Sequence, residues 1–367
     1  MEKLKPIEHK FKAFFFGVFR IFLSKGQTDF KLIGGESIKK VLFLRPEKLG
    51  DMVISFPVFD GLRRNFPHIK ISILGSPKNI AIIRNDPRFE KIYLYTKNLF
   101  HDIKELFAMR KAKYDCVVDM IGDDSVTALF LSQMCAPGKL RIGIGKTKYK
   151  HYYDYNYAYR TDNTNHIIEN TLKLLDAFGI DSTQENGYAE PYIKPDEDKT
   201  ALDFISGIEN GSQPALKVGY NLSAGSLTRI WDEQNSIELI NQIVNEYSGT
   251  KIILFTAPSE RSKAINLKNK LNNEVFIIPE KLNLTTVSAI IRYLNILITP
   301  DTSLVHIARS FKVPVIGLYS RFMKNFMLWR PYDQEVGAVV SGNDDNIYDI
   351  TVNQVFDNFK KLMENVK

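Results

Sequence analysis

The chain has 367 residues, room for about two domains at ~150 residues each, and its 44% hydrophobic and 25% charged residues with 21 Gly and 15 Pro exclude a disordered or collagen-like polymer. Two cysteines, Cys116 and Cys135, are too few for a disulfide framework or a four-cysteine zinc site, so a reducing compartment is expected. Of the net charge of +7, residues 1–40 supply +5, from nine basic and four acidic residues; the nearly balanced remainder argues against nucleic acid as a partner.

The first element is basic and aromatic. Phe11, Phe14, Phe15, Val18, Phe19 and Phe22 follow helical spacing, with Lys12 and Arg20 interrupting the apolar run. Thirteen such residues are too short to span a bilayer, which takes about 20 apolar ones. The segment suits either a membrane interface or packing on the protein's own surface. A removed signal peptide is disfavoured because no small-residue cleavage site follows.

From Val41 onward, short apolar runs alternate with amphipathic stretches. Strands are predicted at Val41–Leu44, Ile69–Leu74, Ile92–Tyr95, Cys116–Met120 and Arg141–Ile144, with helices near 51–65, 77–85, 99–112 and 124–134. A helix near 164–178 should end at Gly179. The stretch from Asp181 to Gly211 reads as a linker with one short helix near 197–209. A second alternation predicts strands Val218–Leu222, Ile252–Phe255, Val275–Ile278, Ile296–Thr299, Val313–Leu318 and Ala338–Val340, helices near 233–247, 259–272, 284–294 and 302–311, and a terminal helix over 351–365. The expectation is an α/β protein of two Rossmann-like doubly wound domains facing a cleft, with an amphiphilic helical extension at the N-terminus. The boundaries are 1–38 for the extension, 39–190 and 215–345 for the domains, 191–214 for the linker region and 346–367 for the C-terminal helix.

Several motifs fail. Gly143–Thr147 lacks the first glycine of a P-loop, because position 140 is Leu140, and Asn221 stands where a nucleophile elbow needs glycine. Asp196-Glu197-Asp198 matches a metal-binding D-x-D pattern but has no preceding strand, and is expected to be solvated surface. Six scattered histidines and no H-E-x-x-H give no metal site.

Three signals hold. In Arg45-Pro46-Glu47-Lys48-Leu49-Gly50-Asp51 a strand delivers a loop where Gly50 permits close approach of a ligand, and Asp51 is either a general base or a helix cap. In Pro300-Asp301-Thr302-Ser303 a strand meets a helix N-terminus, which is either an anion site or simply a capped helix, with His306 on the same face. In Asn221–Trp231 a strand opens into small residues whose amides can reach phosphate oxygens, with Arg229 as a planar donor.

Together these resemble glycosyltransferase family 9, the bacterial lipopolysaccharide heptosyltransferases, over residues 40 to 365. Arg45, Gly50, Asp51 and Pro57 match the family's first motif, and His166, Leu174, Leu175 and Gly179 its mid-chain histidine and leucine-rich helix. Ser223–Gly225, Arg229 and Trp231 match its small-residue loop, Glu260 its acid after the second strand, and Asp301, Thr302 and His306 its Asp-Ser/Thr-Gly-x-x-His signature. Two departures lie on the donor side: Ser303 replaces the usual glycine, and Tyr319-Ser320-Arg321 the usual aromatic-Gly-Pro-Thr.

The resemblance implies a GT-B enzyme moving heptose, with inversion and without a metal or other cofactor, from ADP-heptose to a lipopolysaccharide or lipooligosaccharide inner core. It implies Asp51 as base. Ser223, Ala224, Gly225, Ser226, Arg229, Glu260, Leu282, Asp301, Thr302, Ser303 and His306 would bind the donor, and Arg45 and Lys48 the acceptor, on the C-terminal and N-terminal domains respectively. Arg63 and Arg64 are either acceptor contacts or helix surface. The partners implied are a nucleotide sugar, a lipid-anchored glycan and, through residues 1–30, an anionic membrane on the cytoplasmic face of the inner membrane. A different nucleotide sugar or glycan, or a catalytically silent GT-B protein, remains open; a nicotinamide oxidoreductase is disfavoured because the first βα turn lacks G-x-G-x-x-G.

Overall fold

The computed structural model describes residues 23, 25, 26, 34–159, 165–209, 215–271, 274–334 and 336–365. The aromatic segment Phe11–Phe22 lies outside the described residues. Leu23 packs against Leu129, Tyr149, Tyr152 and Tyr153, and the Gly26 amide donates to the His151 carbonyl at 3.0 Å.

Strands β1 (Lys40–Leu44), β2 (Lys70–Gly75), β3 (Phe89–Leu94), β4 (Cys116–Asp119), β5 (Leu140–Ile144) and β6 (Tyr155–Tyr157) form a parallel sheet in the order β3-β2-β1-β4-β5-β6. The second sheet, from β7 (Lys217–Asn221), β8 (Lys251–Phe255), β9 (Val275–Ile277), β10 (Ile296–Pro300), β11 (Val315–Tyr319) and β12 (Ala338–Val340), is parallel in the order β12-β11-β10-β7-β8-β9. Both are the doubly wound order, in which the chain reverses direction beside the first strand and opens a crevice at the strands' carboxyl ends. The strands read as apolar runs because helices cover both faces.

The expected helix over 51–65 is two helices, α1 (Leu49–Val53) and α2 (Phe56–Asn65). Pro57, in the first turn of α2, has no N–H to continue an earlier ladder but fits a new start. Next come α3 (Ile80–Ile83), α4 (Leu99–Ala112) and α5 (Val126–Cys135). The expected 164–178 helix is α6 (Ile167–Leu172), which tightens into a 3₁₀ turn before Gly179 stops it at φ +81°.

In the linker region, α7 (Pro195–Glu209) packs on α10 (Leu284–Arg292) of the C-terminal domain. Two of the three acids at its start are tied into the fold, which corrects the expectation of solvated surface for Glu197 and Asp198, while Asp196 is exposed as expected. Glu197 is buried and accepts hydrogen bonds from Asn283 and Thr285, while Asp198 pairs with Arg292 and accepts from the Tyr293 hydroxyl. The carboxylates at a helix N-terminus complement the helix dipole and tie α7 down. The remaining helices are α8 (Glu233–Glu246), α9 (Arg261–Lys270), α11 (Ser303–Ser310), α12 (Met323–Trp329) and α13 (Val352–Asn365). One apolar cluster runs from Phe43, Phe59 and Leu175 through Ile205 to Ile290, Val305 and Val315, so the inner faces of the two sheets share a continuous core. Among the described residues, no helix is long and apolar enough to cross a membrane.

Candidate active site

On the N-terminal side, β1 ends in a buried cluster of charge. Arg45, only 3% exposed, donates from Nε to the Asp51 carbonyl at 2.9 Å, and from Nη1 to the Met120 carbonyl and to Glu47 Oε2, the latter at 2.5 Å. Its Nη2 lies 3.6 Å from Asp51 Oδ1. These contacts occupy much of the guanidinium, so Arg45 holds two carboxylates in place, and it also lines the smaller cavity described below. Of the two alternatives for Asp51, the helix cap is present, since Oδ2 accepts the Lys48 amide at 3.0 Å at the start of α1, and Asp51 also lines the interdomain cleft. Glu47, which sequence reasoning passed over, lines that cleft too; burial pushes its carboxyl up to about 7 against the pull of Arg45.

On the C-terminal side, Asn221 ties two loops together. Its amide nitrogen donates to Thr299 Oγ1 at 2.9 Å and to the Ser223 carbonyl at 3.0 Å, and its oxygen accepts the Ser223 amide at 3.1 Å. Ser223 Oγ accepts the Ala257 amide at 2.7 Å. The following amides, of Ala224, Gly225 and Ser226, make no backbone hydrogen bond among the described residues. Arg229 Nη1 sits 3.0 Å from Asp301 Oδ2. Burial raises the Asp301 carboxyl, and Arg229 and Lys48 oppose that shift. Thr302 caps α11 by accepting the Leu304 amide at 3.3 Å.

A cleft of about 860 Å³ joins the two sides. Lys48, Gly50, Asp51, Gly225, Arg229, Asp301, Thr302, Ser303 and His306 all line it, together with Trp329, which sequence reasoning missed. Ser223, Ala224 and Ser226, which flank Gly225, lie outside this lining, as do Glu260 and Leu282: Glu260 pairs with Lys263, whose hydrogen bond lowers its carboxyl, with the Ser223 hydroxyl adding to the effect, and Leu282 packs against the shared apolar core. Arg63 donates to the Pro87 carbonyl and Arg64 pairs with Glu185, both away from the cleft. A smaller cavity of about 370 Å³ shares Glu47, Asp51 and Trp329 with it and continues to Asp123, Tyr159 and Phe322. No cluster of three potential metal ligands occurs among the described residues.

Gly50 also meets the other domain. A Cβ there would lie 3.1 Å from His306 Cδ2 and 3.7 Å from the Ser303 Cα, so the missing side chain is what lets α1 and α11 touch. Gly50→Ala adds overpacking of about 1–3 kcal/mol and recovers ~1 kcal/mol of helix propensity. The expected result is a net destabilisation of about 1 kcal/mol by urea unfolding; an unchanged midpoint would show that the interface yields freely.

Two histidines meet near this contact. His306 is buried with its ring edge-on to Trp329 at 5.4 Å, and burial pushes it down to about 4 although the Asp51 charge pulls the other way. His166 accepts the Ile168 amide at Nδ1 and lies 2.9 Å from the Arg330 carbonyl at Nε2, a pattern that requires the neutral Nε2–H form. Burial, with His306 nearby, pushes it down to about 3. Unfolded histidines protonate near 6.5, so the folded state loses stability as pH falls from there towards 4. Glu47 acts in the opposite sense over pH 4.5–7, so the test is a comparison. Between pH 7 and 5 the urea midpoint should fall less in His306→Gln than in the wild type, and parallel curves would refute the assignment.

Residues 105–357 match the profile of glycosyltransferase family 9 (heptosyltransferase). Lipopolysaccharide heptosyltransferase 3 of Escherichia coli K12 is 24% identical over 318 residues, covering 80% of this chain and 86% of the relative. Lipopolysaccharide core heptosyltransferase OpsX of Haemophilus influenzae is 21% identical, with 85% and 86% covered. Among solved structures, the family 9 glycosyltransferase of Veillonella parvula superposes with a TM-score of 0.73 at 18% identity, covering 89% of this chain and 97% of that one. E. coli heptosyltransferase WaaC with ADP gives 0.69 at 18% identity, with 89% and 99% covered. At these identities the structural likeness establishes the shared fold.

Proposed function

The chain belongs to glycosyltransferase family 9, and from that premise we propose that this glycosyltransferase moves heptose from ADP-heptose to a lipid-anchored inner-core glycan of lipopolysaccharide or lipooligosaccharide, by inversion and without a metal. One observation carries the reading: a carboxylate from one domain, Asp51, and a cation from the other, Arg229, line the same interdomain cleft.

Asp51 takes the proton of the attacking acceptor hydroxyl as that oxygen bonds to the anomeric carbon. The bond from that carbon to the diphosphate breaks on the opposite face, and ADP leaves carrying the electron pair. Negative charge grows on the diphosphate in the transition state. Arg229 and the amides of Ala224–Ser226, beside Gly225 on the cleft lining, supply the positive potential that meets that growth. Asp301, which cannot stabilise a phosphate, accepts hydroxyls of the transferred sugar, and Lys48 adds an exposed cation at the cleft wall. The cavity bounded by Glu47, Asp51, Tyr159 and Trp329 seats the acceptor sugar, because it shares the base with the donor cleft. The basic aromatic segment within residues 1–30 would keep the enzyme on the anionic cytoplasmic leaflet where that acceptor resides.

The test is ADP release from ADP-heptose in the presence of core glycan, measured beside UDP- and GDP-sugars and repeated in a chelator, with the product's anomeric configuration read by NMR. Turnover of ADP-heptose that survives chelation and inverts the anomeric centre is the expected result. Turnover confined to another nucleotide sugar would overturn the donor assignment.

A further inference from the structure

Helix α4 is apolar on two sides, and the fold uses only one of them. Met109 is buried against Leu131 and Cys135 of α5, with Leu106, Ala108 and Ala112 beside it. On the opposite side Phe100 is 85% exposed, Phe107 65% and Ile103 41%, and Leu99 at the helix start is 70% exposed. Phe100, Lys104, Phe107 and Lys111 follow one another at helical spacing, so rings and ammonium groups alternate along one exposed stripe. Lys97, Lys104, Arg110, Lys111 and Lys113 are all exposed, and none makes an ion pair among the described residues. The acids of the helix are drawn elsewhere: Asp102 accepts the Thr96 amide and hydroxyl, and Glu105 lies near His101.

We propose that this face of α4 is a docking surface for an anionic lipid bilayer. Aromatic side chains at the headgroup boundary gain apolar burial, while interleaved lysines extend along their stems to lipid phosphates. Charge decides against a second copy of the chain as occupant, since a twofold contact would set these lysines against their equivalents. Position gives the surface its use. Tyr95, Thr96 and Lys97, which lead into α4, line the interdomain cleft. A membrane held by Phe100 and Phe107 therefore lies beside the cleft mouth, where a glycan rooted in that membrane can reach Asp51. The docking surface does not depend on which nucleotide sugar the enzyme uses.

Co-sedimentation of the full chain with vesicles of phosphatidylethanolamine and phosphatidylglycerol, and with phosphatidylcholine vesicles, tests the proposal. The wild type should bind the anionic vesicles and bind the zwitterionic ones far less. The double variants Phe100→Ser/Phe107→Ser and Lys104→Glu/Lys111→Glu should each lose about tenfold or more of the anionic partitioning. Their far-UV circular dichroism and ADP affinity should match the wild type, which keeps a failure here distinct from a failure of the catalytic reading. Variants that partition like the wild type would overturn the proposal. So would a wild type indifferent to anionic vesicles, or one that dimerises until Phe100→Ser/Phe107→Ser disperses it.

Discussion

Asp51→Asn is expected to lower kcat about 10³-fold while KM for the nucleotide sugar moves by no more than about twofold, because a general base acts in the transition state and contributes little to holding the donor. The substitution is conservative in shape. An asparagine oxygen can still accept the Lys48 amide and cap α1, and the contact between Arg45 and the Asp51 carbonyl is untouched because it involves the backbone. What disappears is the charge beside Arg45 Nη2 and the capacity to take a proton. Thermal unfolding should therefore change little while ADP release nearly stops. Alanine at the same position would confuse the two roles, since it also removes a cap of about 1 kcal/mol. An asparagine variant with near wild-type turnover would remove Asp51 from the mechanism and leave it a structural cap.

How much of this was legible in the sequence depended on whether the signal was local. Val41–Leu44 and Ile296–Thr299 are completely or almost completely buried and read as strands from apolar runs alone. β6 did not, because Tyr155-Asn156-Tyr157 is a half-buried edge strand paired on one side only, and its residues carry no such run. Helix α12 was equally silent: what makes it part of the site is Trp329 meeting His306 from the next helix along the chain. Asp51, Arg229 and Asp301 could be singled out because each follows a strand's carboxyl end in a loop of small or turn-forming residues. Glu47 could not, since its raised carboxyl depends on burial and on Asp51, Asp119 and Asp123 gathering around it. Distance in sequence hid two contacts. Glu197 and Asp198 looked solvated because Asn283, Thr285 and Arg292 lie far along the chain, and Gly50, which lines the cleft, gave no sign that it also packs on His306.

Arg229→Ala should cost about 10²–10³-fold in kcat/KM, the scale seen when one preorganised donor to a developing oxyanion is removed. The structure adds a second consequence. Arg229 rests on the Asp301 carboxylate, and it is the leading charge opposing the upward push of burial on that group. Removing the guanidinium leaves only Lys48 to oppose it, so Asp301 should take up a proton at higher pH than before. The alanine variant should then show a rate that falls on acidification in a range where the wild type is flat, and Asp301→Asn in the same background should abolish that fall. Arg229→Lys restores the charge but not the planar fork, so it should recover part of the loss in kcat/KM and most of the wild-type pH profile. The two residues should also be non-additive in a double-mutant cycle, as expected for groups in direct contact. Independent, additive effects of Arg229 and Asp301 would mean that the pair is an incidental surface contact, and the positive potential for the departing diphosphate would have to come from the loop amides and Lys48.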